Sequence, residues 1–359
     1  MKPLFFSFFP KIRNVLCFLL LLTGLLLTPG CSTPANTPVS RQEFVLNTTA
    51  TITIYAVNGA DTQKQLEAQA EAILTDTFEC CRDYEAIFSR TLPGSELYKL
   101  NHRESTTTQE GGTETAEVSD DLAACIDLAM QYSEQSDGAF DLTVAPLSDL
   151  WNFSAADPHV PASSDLEAAL ASVDYKKVRL TGNHITFASS DTQIDLGAVA
   201  KGYIADQLAA SLKGQGVTSA ILNLGGNILC IGVKPASDPF TVGIQDPFDV
   251  SNGTYLKLSV HDLSVVTSGI YERCFTENGI TYHHLLNPVT GYPYDNGLAS
   301  VTILNPSSAK ADVLSTTCFA LGLEQGLSLV NSISDCEAIF IATDGTISYS
   351  DGAESYLAK

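Results

Sequence analysis

The chain has 359 residues, 41 of them acidic against 19 basic, for a formal charge of −22. Such a balance lacks the clustered Lys and Arg that phosphate backbones require and argues against a nucleic-acid binder. With 45% apolar and 17% charged residues, it excludes a disordered chain and allows a large packed core.

The first thirty residues hold Lys2, Lys11 and Arg13, no acidic side chain, and an apolar run over 15–27 that meets Thr28-Pro29-Gly30-Cys31. A basic start, a short apolar stretch and a small residue before a cut describe an export signal. The run falls short of the roughly 20 residues that a membrane span needs. Residues 1–30 resemble a bacterial lipoprotein signal. That implies an exported product anchored to the outer face of the cell membrane by a lipidated Cys31. Losing the three basic residues would take the formal charge from −22 to −25. The Pro-, Ser- and Thr-rich stretch that follows reads as a tether over 31–43, leaving 44–359 as the domain. Beyond Cys17 and Cys31, seven cysteines remain without C-x-x-C spacing, which argues against a disulfide framework or a zinc site.

Alternation over 44–57, with Ile52 and Ile54 on one face, predicts a strand. Leu66, Ala70, Ile73, Thr77, Cys81, Tyr84 and Phe88 recur in steps of three and four, an amphipathic helix. The polar 103–116 reads as a loop, 119–136 as a helix capped at Ser119, and 152–164 as a surface loop. From residue 184 the pattern is mostly β, with strands over 184–188, 193–196, 219–224, 241–245, 255–260, 282–286 and 300–304. A helix is predicted over 198–212, another over 310–332, and a terminal hairpin from 338–342 and 346–349. With no repeat and no composition break after residue 44, these elements predict one large α+β domain with a mostly antiparallel sheet.

Four segments carry chemistry. Asp195-Leu196-Gly197-Ala198 leads from a strand to a helix holding Lys201. Bare N–H groups there suit a phosphate, and carbonyls turned out of the ladder suit a hard cation. Asn223-Leu224-Gly225-Gly226-Asn227 permits close backbone approach, to a ligand or in a bulge. His283 and His284 are adjacent, so in a strand they face opposite ways and only one can serve a site. Asp312 and Thr316, at i and i+4 on a helix, share a face and offer hard oxygens to Mg²⁺. Each segment alone is equally open to a structural role.

Their order is more specific. Ser133-Glu134-Gln135-Ser136-Asp137-Gly138-Ala139-Phe140-Asp141, then DLGAVAKGYIAD, NLGGN, TSGIYERCF, YHHLLNPVTGYP and SVTILNPSSAKADVLSTTCFALG, resembles the ApbE family, the FAD:protein FMN transferases. Matching blocks extend from residue 44 to 343. The resemblance implies Mg²⁺-dependent transfer of FMN from FAD to a Thr or Ser hydroxyl of an acceptor flavoprotein, with release of AMP. It implies FAD contacts at Leu46, Thr91, Ala139, Phe140, Asp141, Asp195, Lys201 and Leu286. It places Mg²⁺ on Asp312, Thr316, the Ala198 carbonyl and, as a third side-chain ligand, Ser315. His284 and Asp195 are the two candidates for the base that takes the acceptor's proton. The implied partners are FAD and an acceptor belonging to a membrane redox complex or carrying an FMN-binding domain.

Three positions depart from the family pattern. Leu46-Asn47-Thr48 stands for Met-Gly-Thr, Thr91 for an aromatic that stacks on flavin, and Asn287 for Asp. An FAD pyrophosphatase and a lipid-anchored flavin-binding protein without catalysis are the alternatives.

Overall fold

Ala338 and Phe340 point to one side of their strand and Ile339 and Ile341 to the other, and all four are buried. A strand apolar on both faces belongs between two neighbours in a sheet covered on both sides. The computed structural model describes residues 37–108, 113–249, 251 and 253–358. The leader, Cys31 and the start of the tether lie outside them. In chain order the strands are β1 (Val39–Val45), β2 (Thr48–Val57), β3 (Thr107–Thr108), β4 (Glu114–Glu117), β5 (Val178–Thr181), β6 (His184–Phe187), β7 (Val217–Leu224) and β8 (Asn227–Ile231). There follow β9 (Phe240–Gln245), β10 (Thr254–Val260), β11 (Ser264–Gly269), β12 (Cys274–Glu277), β13 (Ile280–His283), β14 (Leu298–Asn305), β15 (Glu337–Ala342) and β16 (Ile347–Tyr349).

Eight strands form one sheet in the order β1-β2-β7-β8-β11-β14-β15-β16, every neighbouring pair antiparallel. One face packs on the helices Gln63–Phe88, Ala200–Gly214 and Ser308–Asn331, through residues such as Ile52, Leu74, Leu208, Leu222 and Phe319. The other face is covered by the β9–β10 ribbon, whose Phe240, Val242, Ile244, Leu258 and Val260 pack on Val265, Ile339 and Ile341. This is the single α+β domain with a mostly antiparallel sheet that the pattern predicts. The Ser308–Asn331 helix is long and apolar enough to cross a membrane, but here it supplies the buried Val313, Leu314 and Phe319 to the core.

Several elements differ from expectation. Residues 39–43 are not tether: β1 begins at Val39 and pairs with β2, Val39 facing Ile54. Its polar alternation is that of an edge strand, which a hydrophobic pattern does not reveal. The strand predicted over 44–57 is a hairpin, turning at Leu46 and Asn47 with φ of 58° and 53°. The loop predicted over 103–116 contains β3 and β4. Residues 193–196 make no strand; Gln193 forms a single bridge to Val144, and the Asp195 N–H donates to the Leu142 carbonyl at 2.8 Å. The strand predicted over 282–286 ends at His283.

Candidate functional site

At one end of the sheet two hairpin tips lie side by side. The β1–β2 turn carries Leu46 and Asn47, and the β7–β8 turn is Gly225-Gly226, with φ of 64° and 91°. A Cβ on Gly225 would sit 2.1 Å from the Thr48 hydroxyl oxygen, so only glycine permits this approach. Asn47 takes the left-handed conformation that Asn tolerates better than other side chains do, so the Asn in place of Gly leaves the turn intact. Beside these tips opens a cleft of about 880 Å³.

Leu46, Thr91, Ala139, Phe140, Asp141, Asp195, Ala198, Lys201, His284, Leu286, Asp312 and Thr316 all line this cleft. Ser315 does not. It is fully buried, with its hydroxyl donating to the Asp312 carbonyl at 2.7 Å and lying 2.8 Å from the Ser268 hydroxyl. A helical serine readily folds back on the preceding turn, and Ser315 is therefore removed from the expected ligand set.

Asp312 is set by a helix crossing. Gly202, in the first turn of the Ala200–Gly214 helix, donates its N–H to Asp312 Oδ2 at 2.9 Å. A Cβ there would lie 2.2 Å from the Ser308 carbonyl oxygen and 2.7 Å from Asp312 Cβ. Asp312 does not cap its own helix. Ser307 is the N-cap, and Asp206 of the neighbouring helix accepts from the Ser308 and Ala309 N–H groups at 2.8 and 3.0 Å. Asp312 is thus left facing the cleft, with Lys201 Nζ 4.0 Å from Oδ1. Burial pushes its carboxyl above the usual range, with Lys201 and the Gly202 N–H pulling the other way. Thr316 lies one turn on, its hydroxyl 3.1 Å from that of Ser268.

The two histidines divide, although β13 ends at His283 and His284 lies just beyond it. His283 is consumed by the fold: its Nε2 lies 3.0 Å from the Tyr294 carbonyl, and its Nδ1 accepts from the Leu285 N–H at 3.3 Å. His284 lines the cleft, and its buried Nδ1 has no protein partner. Burial, helped by Arg273, His283 and Lys201, pushes its imidazole down to about 3, so the ring is neutral at ordinary pH. Asp195 is the opposite case. Burial pushes it up, but Arg90 and the Gly197 N–H outweigh that and leave it below the usual carboxylate range. Its Oδ1 accepts from Gly197 at 2.8 Å and its Oδ2 lies 3.0 Å from Arg90 Nε. An ionised, doubly engaged carboxylate is a poor proton acceptor.

Asp141 presents backbone rather than charge to the cleft. Its carboxylate takes the Thr143 N–H at 2.7 Å, the Thr143 hydroxyl at 2.6 Å and the Tyr175 N–H at 2.9 Å. Asn287 lies outside the cleft lining, and its Oδ1 caps a turn through the Val289 and Thr290 N–H groups. Asp would accept the same bonds. Arg90, Arg273, Glu272 and Tyr294 also line the cleft and were not singled out from the sequence. Arg90 lies in the block Ser89–Asn101, where no spacing singles it out, and Tyr294 is marked only by packing, its hydroxyl donating to the Ala139 carbonyl at 2.7 Å.

Among the described residues no three His, Cys, Asp or Glu side chains cluster as a metal site. Asp312, Thr316 and the Ala198 carbonyl would offer one carboxylate, one hydroxyl and one backbone oxygen, a hard set that fits Mg²⁺ rather than zinc. Glu85, Asp149, Asp195, Glu272 and Asp312 stand along the cleft wall with Arg90, Lys201 and Arg273, and burial raises the Glu272 carboxyl to about 7.

Residues 46–340 match the model of the ApbE family. The chain is 33% identical over 328 residues to an FAD:protein FMN transferase of Treponema pallidum, covering 87% of each. It is 33% identical over 285 residues to one of Klebsiella pneumoniae, covering 79% of this chain and 86% of the relative. In structure it resembles the flavin transferase ApbE of Vibrio cholerae, with a TM-score of 0.77 and 25% identity over 89% of this chain and 99% of that one. The ApbE protein of Thermotoga maritima is similar, with a TM-score of 0.76 and 28% identity over 90% and 100%.

Proposed function

The chain belongs to the ApbE family, and from that premise we propose that it is an enzyme that transfers FMN from FAD to a hydroxyl of an acceptor flavoprotein. The observation that carries the reading is one cleft holding every expected contact residue except Ser315. We propose further that the acceptor residue is Thr or Ser, that AMP leaves, and that Mg²⁺ is required. The exported chain would be held by a lipid on Cys31 at the outer face of the membrane, near redox complexes that need a covalent flavin.

Asp312, Thr316 and the Ala198 carbonyl would hold the Mg²⁺, which supplies charge stabilisation to a reacting pyrophosphate. The chain's own groups do the rest. The acceptor hydroxyl attacks the FMN-side phosphorus, and the anhydride bond to AMP breaks as the new phosphoester forms. His284 and Asp195 both line the cleft as candidates to take the hydroxyl proton; the His284 Nδ1 has no protein partner, whereas both Asp195 oxygens are engaged. Lys201 sits 3.0 Å from the Gly197 carbonyl and brings its ammonium to the turn where phosphate charge would lie. Leu46, Phe140 and Leu286 offer apolar contact to the nucleotide, and Thr91 leaves open the space an aromatic would fill.

Incubation with FAD, Mg²⁺ and an acceptor domain, followed by intact mass, tests the proposal. Transfer predicts an FMN-sized gain on the acceptor. Free FMN with AMP would replace it by a pyrophosphatase, and unchanged FAD by a binding protein.

A further inference from the structure

Arg90 stands just past Ser89, the C-cap of the Gln63–Phe88 helix, and brings three segments together. Its Nε lies 3.0 Å from Asp195 Oδ2, its Nη1 pairs with Asp149 of the Ala145–Trp151 helix, and Asp195 itself opens the turn toward the Ala200–Gly214 helix. Only 21% of the Arg90 side chain is exposed, and 19% of that of Asp195. All three residues line the cleft. The remaining oxygen of Asp195 accepts the Gly197 N–H at 2.8 Å.

We propose that Arg90 is a positioning residue for FAD, acting through Asp195: it locks that carboxylate in one orientation and cancels its charge toward the entering pyrophosphate. The proposal rests on the transferase reading of the cleft. An isolated carboxylate at that turn would repel a dianionic dinucleotide and take on protons as pH falls. A guanidinium that addresses two carboxylates through different nitrogens prevents both, and its planar fork fixes the geometry. A lysine ammonium supplies the charge without the fork. The lowered ionisation range of Asp195 agrees with this pairing.

The test measures FAD binding in the presence of Mg²⁺ by quenching of flavin fluorescence, for the wild type, R90Q, R90K, D195N and R90Q/D195N, alongside thermal unfolding. R90Q should bind FAD about tenfold more weakly, the scale of one charge-assisted hydrogen bond, with R90K between it and the wild type. If Arg90 acts through Asp195, the double variant should be no weaker than D195N alone. Affinity of R90Q should recover toward that of the wild type on acidification, because protonation of Asp195 removes the uncancelled charge. R90Q within twofold of wild type, or costs that add fully in the double variant, would overturn the role of Arg90. Should R90Q fail to fold, R90K decides: wild-type affinity and an unchanged pH profile overturn the proposal. A wild-type chain that binds no FAD overturns the transferase reading itself.

Discussion

Asp312 gives one oxygen to the Gly202 N–H and faces the cleft with the other. Asp312→Ala should abolish FMN transfer, read as acceptor mass, while the protein stays folded. Its melting temperature should fall modestly, because the orphaned Gly202 N–H costs about 1–3 kcal/mol. His284→Gln should slow transfer by about a hundredfold if the imidazole takes the proton, and leave FAD binding near wild type. The same residue sets a pH dependence of stability. Its imidazole is held near 3, below the ordinary 6.5, so between those values the unfolded chain binds the extra proton. Stability is full above about 6.5 and is lost as pH falls toward 3. Denaturant midpoints of His284→Gln across that range should therefore slope less than those of the wild type. At this scale the sequence was legible in placement: Asp312 and Thr316, at i and i+4 on one helix, both line the cleft. It was not legible where a partner is distant in the chain: Arg90 meets Asp195 across more than a hundred residues.

The site depends on two helices that open against one another. Gly202 allows the Ala200–Gly214 helix to lie against the Ser308 carbonyl, and Asp206 caps the Ser308–Asn331 helix from outside. Gly202→Ala should destabilise the fold by about 1–3 kcal/mol through overpacking and reduce transfer by displacing Asp312, as measured by chemical denaturation and the mass assay together. Asp206→Ala should cost about 1 kcal/mol, the usual scale of a lost cap, with a smaller effect on transfer. Both helices are legible from apolar periodicity, the second within two residues of its observed ends. Their crossing is not, since periodicity says which face is apolar but not which neighbour covers it. Edge strand β1 and the short β3 and β4 escaped for a related reason: polar and brief, they are held by ladder bonds rather than by a hydrophobic face.

Across the whole molecule, one antiparallel sheet with helices on one face and a ribbon on the other brings residues from 46 to 316 to a single cleft. The chain is strongly acidic, and the cleft wall mixes carboxylates such as Asp149, Asp195 and Asp312 with Arg90, Lys201 and Arg273. A cation at its pyrophosphate would stabilise an anionic dinucleotide bound there. On the proposed function that cation is shared between the turn at Ala198 and the helix opening at Asp312 and Thr316. A crystal grown with FAD and Mn²⁺ as an anomalous substitute for Mg²⁺ tests this most directly. The account predicts one anomalous peak within coordination distance of Asp312, Thr316 and the Ala198 carbonyl, touching the FAD pyrophosphate. A peak elsewhere, or FAD bound in the cleft with no metal beside its pyrophosphate, would contradict it.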